Sequence, residues 1–140
     1  MQLNNFMPTF AVQKIDAING KQVINKLVVN GVSLLDQFED SLEEKYKTEM
    51  ESIYYYMEAV ANLQSLPENK FRELKGAKDN VKEYEFKSNH IRVYAIKQPN
   101  CKLVVMCGYK NSQKDDINKF RAIKSQFIIS QKNNKNENKG

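Results

Sequence analysis

Soft metal ligands are scarce in this chain: one histidine, His90, and two cysteines, Cys101 and Cys107, among 140 residues. The cysteines form no Cys-x-x-Cys, and with a single histidine they do not make a zinc site, so neither a metal nor another cofactor is expected. One cysteine falls at a turn and the other ends an apolar run, which reads as two free thiols in a reducing compartment. Long hydrophobic runs are also missing, since no stretch approaches the ~20 apolar residues of a membrane-spanning helix. Asn4, Asn5, Gln13, Lys14 and Asp16 interrupt the N-terminal region, so no secretory leader is expected there. These absences place the protein in the cytoplasm, away from membranes. There is no glycine-rich phosphate loop, no Ser/His/Asp set and no internal repeat.

Charge is what the sequence has in quantity, and it is unevenly spread. The net charge is +5, yet residues 1–66 carry five lysines against nine acidic residues, while residues 67–140 carry seventeen lysines and arginines against eight acidic residues. The first part is therefore acidic and the second strongly basic. A basic half on a small domain is the electrostatic footprint of a nucleic-acid binder, although a solvated lysine-rich surface would look the same. The length suits one domain, read here as residues 1–130. Residues 131–140 are Lys, Asn, Gln, Glu and Gly, too polar to bury a core, and are expected to be a disordered tail.

The expected fold is α+β. Residues 1–32 read as an extended N-terminal hairpin: a strand from Phe10 to Ile18 with Phe10, Ala11 and Val12 buried, a two-residue turn at Asn19-Gly20, and a return over Val23 to Val29, as a strand or as a short helix. Asn30-Gly31 breaks the chain again, and Ser33 opens a helical pattern with Leu35, Phe38, Leu42 and Tyr46 on one face. Ser41-Leu42-Glu43-Glu44 matches a capping box. A second apolar set, Met50, Ile53, Tyr54, Met57, Val60 and Ala61, ends before Pro67. Residues 33–65 thus read as one long helix or as a helical hairpin kinked near Tyr46 to Thr48. The run Tyr54-Tyr55-Tyr56 reads as helix packing, because consecutive helical residues point in different directions. The period then changes to that of strands over Val81–Phe86, Ile91–Ile96 and the almost wholly apolar Lys102–Cys107, giving a small antiparallel meander. Ser112, with Asp115 and Asp116 behind it, starts a last helix whose stripe is Ile117, Phe120, Ile123, Lys124, Phe127 and Ile128.

Four short motifs occur in order within this framework: Phe71-Arg72-Glu73-Leu74-Lys75-Gly76, Tyr84-Glu85-Phe86-Lys87, Ile91-Arg92-Val93-Tyr94, and Val104 through Lys110. Together they resemble the RelE/ParE toxin superfamily, most closely its phage-derived, HigB-like branch, over residues 33–128. The resemblance implies a RelE-like fold, with a helical hairpin packed on the sheet, and the toxin of a type II toxin–antitoxin system. It implies a ribosome-dependent, metal-independent endoribonuclease acting on mRNA on the ribosome. The alternatives are a ParE-like inhibitor of DNA gyrase, or a non-catalytic member of the same fold. A cognate antitoxin, of helix-turn-helix type, is the implied partner. Three features depart from the family pattern: Lys87 stands where the family has an arginine, Lys110-Asn111 where it has a lysine pair, and the N-terminal region is longer.

Metal-free RNA cleavage needs a base for the 2′-hydroxyl, cations for the charge on phosphorus and an acid for the 5′-oxygen. The resemblance selects Arg92, Lys87, Tyr109, Lys110 and Lys75 as catalytic candidates. Arg92 would hold the scissile phosphate as the one guanidinium on the sheet, and Tyr109 would stack on a base or donate a proton. Arg72, Lys114 and His90 are further candidates for nucleic-acid contact. Arg92 alternates with Ile91 and Val93 and is expected on the opposite, solvated face. His90 suits acid–base work at neutral pH. It lies at the Ser88-Asn89 turn, where the family has no fixed histidine.

Overall fold

The structure is a computed structural model and describes residues 7–139. Asn4 and Asn5, read above as interrupting a leader, and Gly140, the end of the polar tail, lie outside the described residues. Among the described residues, seven strands and three helices follow one another as β1 (Phe10–Lys14), β2 (Val23–Val29), β3 (Val32–Ser33), α1 (Leu34–Asp40), α2 (Lys47–Ala61), β4 (Phe71–Leu74), β5 (Glu83–Lys87), β6 (Ile91–Gln98), β7 (Cys101–Tyr109) and α3 (Gln113–Lys139). Single 3-10 turns at Glu44–Tyr46 and Lys110–Ser112 lead into α2 and α3.

The architecture is α+β: a mixed, open sheet in the order β1-β2-β7-β6-β5-β4, with β3 paired to β2, and a C-terminal helix. The meander expected from the sequence is present as β5–β6–β7, but it is only the middle of a larger sheet. An apolar strand such as β7 needs a neighbour on each side. It finds β6 antiparallel on one side and β2 parallel on the other, so the sheet is not wholly antiparallel as expected. On the far side β4 pairs with β5. Its Phe-Arg-Glu-Leu sequence is short and half charged, as suits an edge strand.

Burial separates two layers. Ile91, Val93 and Ala95 of β6 face a core shared with Leu35, Met50, Ile53 and Met57 of α1 and α2. Tyr94 and Ile96, one residue out of phase, face a second core with Phe120 and Phe127 of α3. The sheet is thus covered by α1 and α2 on one face and by α3 on the other. The approach of α3 is close: a Cβ at Gly108 would lie 1.9 Å from Asp116 Oδ2.

Several local expectations are corrected. Asn19-Gly20 is not a two-residue hairpin turn, because the β1–β2 ladder ends at Lys14 and Asn25 and leaves a longer loop. That loop turns its apolar residues inward, so Ile15 and Ile18 are buried while Ala11 and Val12 are exposed and Phe10 is half-buried. It docks on the end of α2, where a Cβ on Gly20 would meet Ala61 Cβ at 2.6 Å and the Gln22 amide donates to the Ala61 carbonyl at 2.8 Å. Asn30-Gly31 is the true tight turn, with φ 51° and 80° and the β2–β3 pair across it. Ser33 caps α1 by accepting from the Asp36 amide at 3.1 Å. The break between α1 and α2 falls at Ser41–Tyr46, so a helix boundary does lie at the Ser41-Leu42-Glu43-Glu44 motif, ahead of the kink expected near Tyr46 to Thr48, with Ser41 as the C-cap of α1. At the other end α3 runs through Lys139, across residues whose composition reads as disordered. Among the described residues no helix is long and apolar enough to cross a membrane.

Candidate nucleic-acid interface

The β5–β6 turn and the end of β7 bring three of the sequence candidates together. Lys87 is paired with Arg92 across β5 and β6, and Arg92 with Gly108 across β6 and β7. Lys87, Arg92 and Lys110 line one cleft of about 360 Å³ with Lys70, Asn69 and Ser88, and α2 closes its far side through Glu49, Ser52 and Tyr56.

Arg92 is not the solvated strand residue expected. Its alternation with Ile91 and Val93 holds, but the face it occupies is covered, and only 5% of the residue is exposed. One guanidinium nitrogen donates to the Ser88 carbonyl at 2.5 Å and to the Ile91 carbonyl at 2.9 Å. Its Nε is buried and has no hydrogen-bond partner among the described residues. Nor is Arg92 the sole guanidinium on the sheet, because Arg72 stands on β4, where its Nε donates to the fully buried Glu85 at 2.9 Å. Gln113 of α3 also donates to Glu85. Arg72 is therefore partly neutralised. None of the ion pairs among the described residues involves Lys87, Arg92 or Lys110. Burial holds Lys87 below the ordinary lysine value, Arg72 adds to this, Glu85 opposes it, and Arg92 and Lys110 push it down further.

A second cleft, of about 440 Å³, lies next to the first and shares Lys110 with it. Glu43, Tyr46, His90, Tyr109 and Asn111 complete its lining. Tyr109 packs against Phe38 with ring centroids 5.1 Å apart and against Tyr46 at 5.4 Å. Its ring is therefore half core and half cleft wall. His90 lies 5.0 Å from the Tyr46 ring. The ring is held by Glu49, which lies 41 residues earlier in the chain, with Nδ1 2.7 Å from Glu49 Oε2. Sequence reasoning missed Glu49, and nothing local could have signalled it.

The remaining candidates stand apart. Lys75 lines a different cleft with Arg72, Glu68, Glu73 and Arg121, and its carbonyl accepts from Arg121 at 2.8 Å. Lys114 is exposed on the first turn of α3. The tyrosine run behaves as expected of a helix: Tyr54 donates to Glu39 at 2.5 Å, Tyr55 is exposed, and Tyr56 lies under Lys70. Both cysteines are free, and Cys107 is buried. Among the described residues no group of three or more histidine, cysteine or acidic side chains is placed to hold a metal ion.

No family model, curated protein or solved structure matches this chain. The functional reading therefore rests on the clefts themselves and on the motifs in the sequence.

Proposed function

We propose that the protein is the toxin of a type II toxin–antitoxin system, similar to the HigB-like branch of the RelE/ParE superfamily. It acts in the cytoplasm as a metal-independent endoribonuclease on mRNA held in the ribosome, and a helix-turn-helix type antitoxin restrains it. One observation carries this reading. Arg92 is buried, with its Nε unpartnered among the described residues, at a cleft where Glu49 is in the lining but Lys87 and Lys110 form no ion pair with any described carboxylate. Such a cleft fits a phosphodiester, and fixed cations in a partly desolvated site stabilise the charge that develops on phosphorus as the 2′-oxygen attacks. The neighbouring aromatic cleft, with Tyr46 and Tyr109, is suited to the base attached to that phosphate.

Induced expression in a bacterial host is expected to arrest growth and to cut reporter transcripts within translated frames. Growth arrest with intact transcripts and lost supercoiling would instead favour the gyrase-inhibitor reading. A second reading, a non-catalytic module of the same fold, is favoured by the two carbonyls that hold Arg92, since they give that side chain a role in the turn itself. It predicts no toxicity at all from stable protein.

A further inference from the structure

Glu49 does more than pin a turn. Its Oε1 accepts from the Ser88 hydroxyl at 2.6 Å and from the His90 amide at 2.8 Å, while Oε2 faces His90 Nδ1 at 2.7 Å. Ser88 Oγ in turn accepts from the Ile91 amide at 3.1 Å. The ring is thus fixed with Nδ1 toward a carboxylate. Among the described residues Nε2 has no hydrogen-bond partner, and 56% of the side chain is exposed. A carboxylate on Nδ1 sets the tautomer in which Nε2 carries the free lone pair, and stabilises the imidazolium once a proton arrives. Burial pushes the Glu49 carboxyl up, but the hydrogen bonds from Ser88 and His90 outweigh it, so it is held below the ordinary value and stays ionised. This oriented imidazole lines the aromatic cleft, whose wall at Lys110 is also the wall of the cationic cleft.

We infer that His90, oriented by Glu49, is the general base for RNA bound across the two clefts, with a base in the aromatic one and its 3′-phosphate in the cationic one. The inference rests on the ribonuclease reading above. In the step it describes, His90 Nε2 takes the proton of the 2′-hydroxyl. The 2′-oxygen forms a bond to phosphorus, the P–O5′ bond breaks, and its electron pair leaves with the 5′-oxygen. The leaving oxygen takes a proton from the Lys110 ammonium. The products are a 2′,3′-cyclic phosphate and a 5′-hydroxyl, and no electrons are exchanged with another reagent. Water returns Lys110 and His90 to their starting states. Glu49 is a positioning residue and does not touch the substrate.

The test is single-turnover cleavage of a ribosome-bound mRNA by the purified full chain across pH 5–9, with melting temperature measured for each variant. The groups facing His90 are Glu49 from α2, Glu43 from the segment before it, Lys110 beyond β7 and the phenols Tyr46 and Tyr109. A general base must be unprotonated to act, so the wild type is expected to show an acidic limb, its rate falling as pH falls. His90→Gln should lower the rate by roughly 10²–10⁴ and erase the limb. Imidazole added to His90→Gly should restore cleavage in part, which a role confined to holding the turn would not allow. Glu49→Gln should lower the rate, because the ring is no longer held by a carboxylate, while leaving an acidic limb present. Cleavage by His90→Gln at the wild-type rate, or a loss that imidazole does not recover in a folded His90→Gly, would overturn the dyad and leave the ribonuclease reading standing. A wild type that cuts no mRNA would overturn both.

Discussion

At the residue scale, the decisive side chain is Arg92, and its position gives two separable consequences. It is a buried charge with two backbone carbonyls as partners. Arg92→Ala should therefore destabilise the fold by about 1–3 kcal/mol, because both carbonyls lose a charged donor. The same variant should abolish toxicity, so growth inhibition must be compared with a melting temperature. Lys87→Gln and Lys110→Gln, both at less buried positions, separate binding from stability: each is expected to weaken RNA binding while melting within about 0.5 kcal/mol of the wild type. Glu49 gives a pH prediction. Its carboxyl titrates lower in the fold than in the unfolded chain, so its stabilising contribution is present above pH ~4.5 and is lost as pH falls through the lower folded value. In urea titrations the stability gap between wild type and Glu49→Gln should be full at pH 6–7 and should close on acidification. A gap that stayed constant with pH would contradict the hydrogen-bond pattern at the β5–β6 turn.

At the element scale, α2 and α3 show where local rules were followed and where they were broken. Helix α2 ends in a double bond pattern, Leu63 N–H to the Val60 carbonyl and Gln64 N–H to the Ala59 carbonyl, both at 2.9 Å. The residue at the left-handed position is Leu63, with φ 63°, where glycine is the usual choice. Leu63 is exposed and contributes no core packing, so Leu63→Gly should stabilise the protein by roughly 0.5–1 kcal/mol, read as a higher melting temperature. Helix α3 carries Lys124 within its apolar stripe. Lys124 and Glu83 are each 1% exposed and lie 3.0 Å apart. Asp79 at 2.7 Å and the Val81 carbonyl at 2.6 Å complete the lysine's shell, and Arg121 adds a second cation to Glu83 at 2.8 Å. Lys124→Met removes one charge from a buried pair and is expected to cost about 3–5 kcal/mol, measured by chemical denaturation. A loss under 1 kcal/mol would mean that Arg121 alone suffices for Glu83.

At the scale of the whole molecule, what was legible in the sequence was local. The apolar run of β7, the break at Asn30-Gly31, the start of a helix at Ser33 and the apolar stripe of α3 all report on neighbours within a few residues, and each is found in place. What was not legible joins distant segments. Nothing in Val23–Val29 says that it lies parallel to Cys101–Tyr109, and so the N-terminal hairpin could not be placed in the same sheet. Alternation put Arg92 opposite Ile91 and Val93 but could not say that the face was covered. Of the residues the motifs singled out, Lys87, Arg92 and Lys110 line one cleft, while Lys75 lines another. The pairing of His90 with Glu49 is a tertiary contact with no local trace.

Lys70, Lys87, Arg92 and Lys110 place part of the basic half's charge at the cationic cleft. An antitoxin that covers it should present acidic residues, and its complex should weaken as salt rises. The most direct measurement is the salt dependence of binding of a fluorescent single-stranded RNA, comparing the wild type with the Lys87→Gln/Lys110→Gln double variant. Each phosphate neutralised contributes about −0.7 to the slope of log affinity against log salt concentration. The account predicts a steep slope for the wild type, and for the double variant at least tenfold weaker binding with a slope shallower by roughly 1–1.5. Equal affinity and equal slope in the two proteins would contradict the claim that this cleft holds the phosphate.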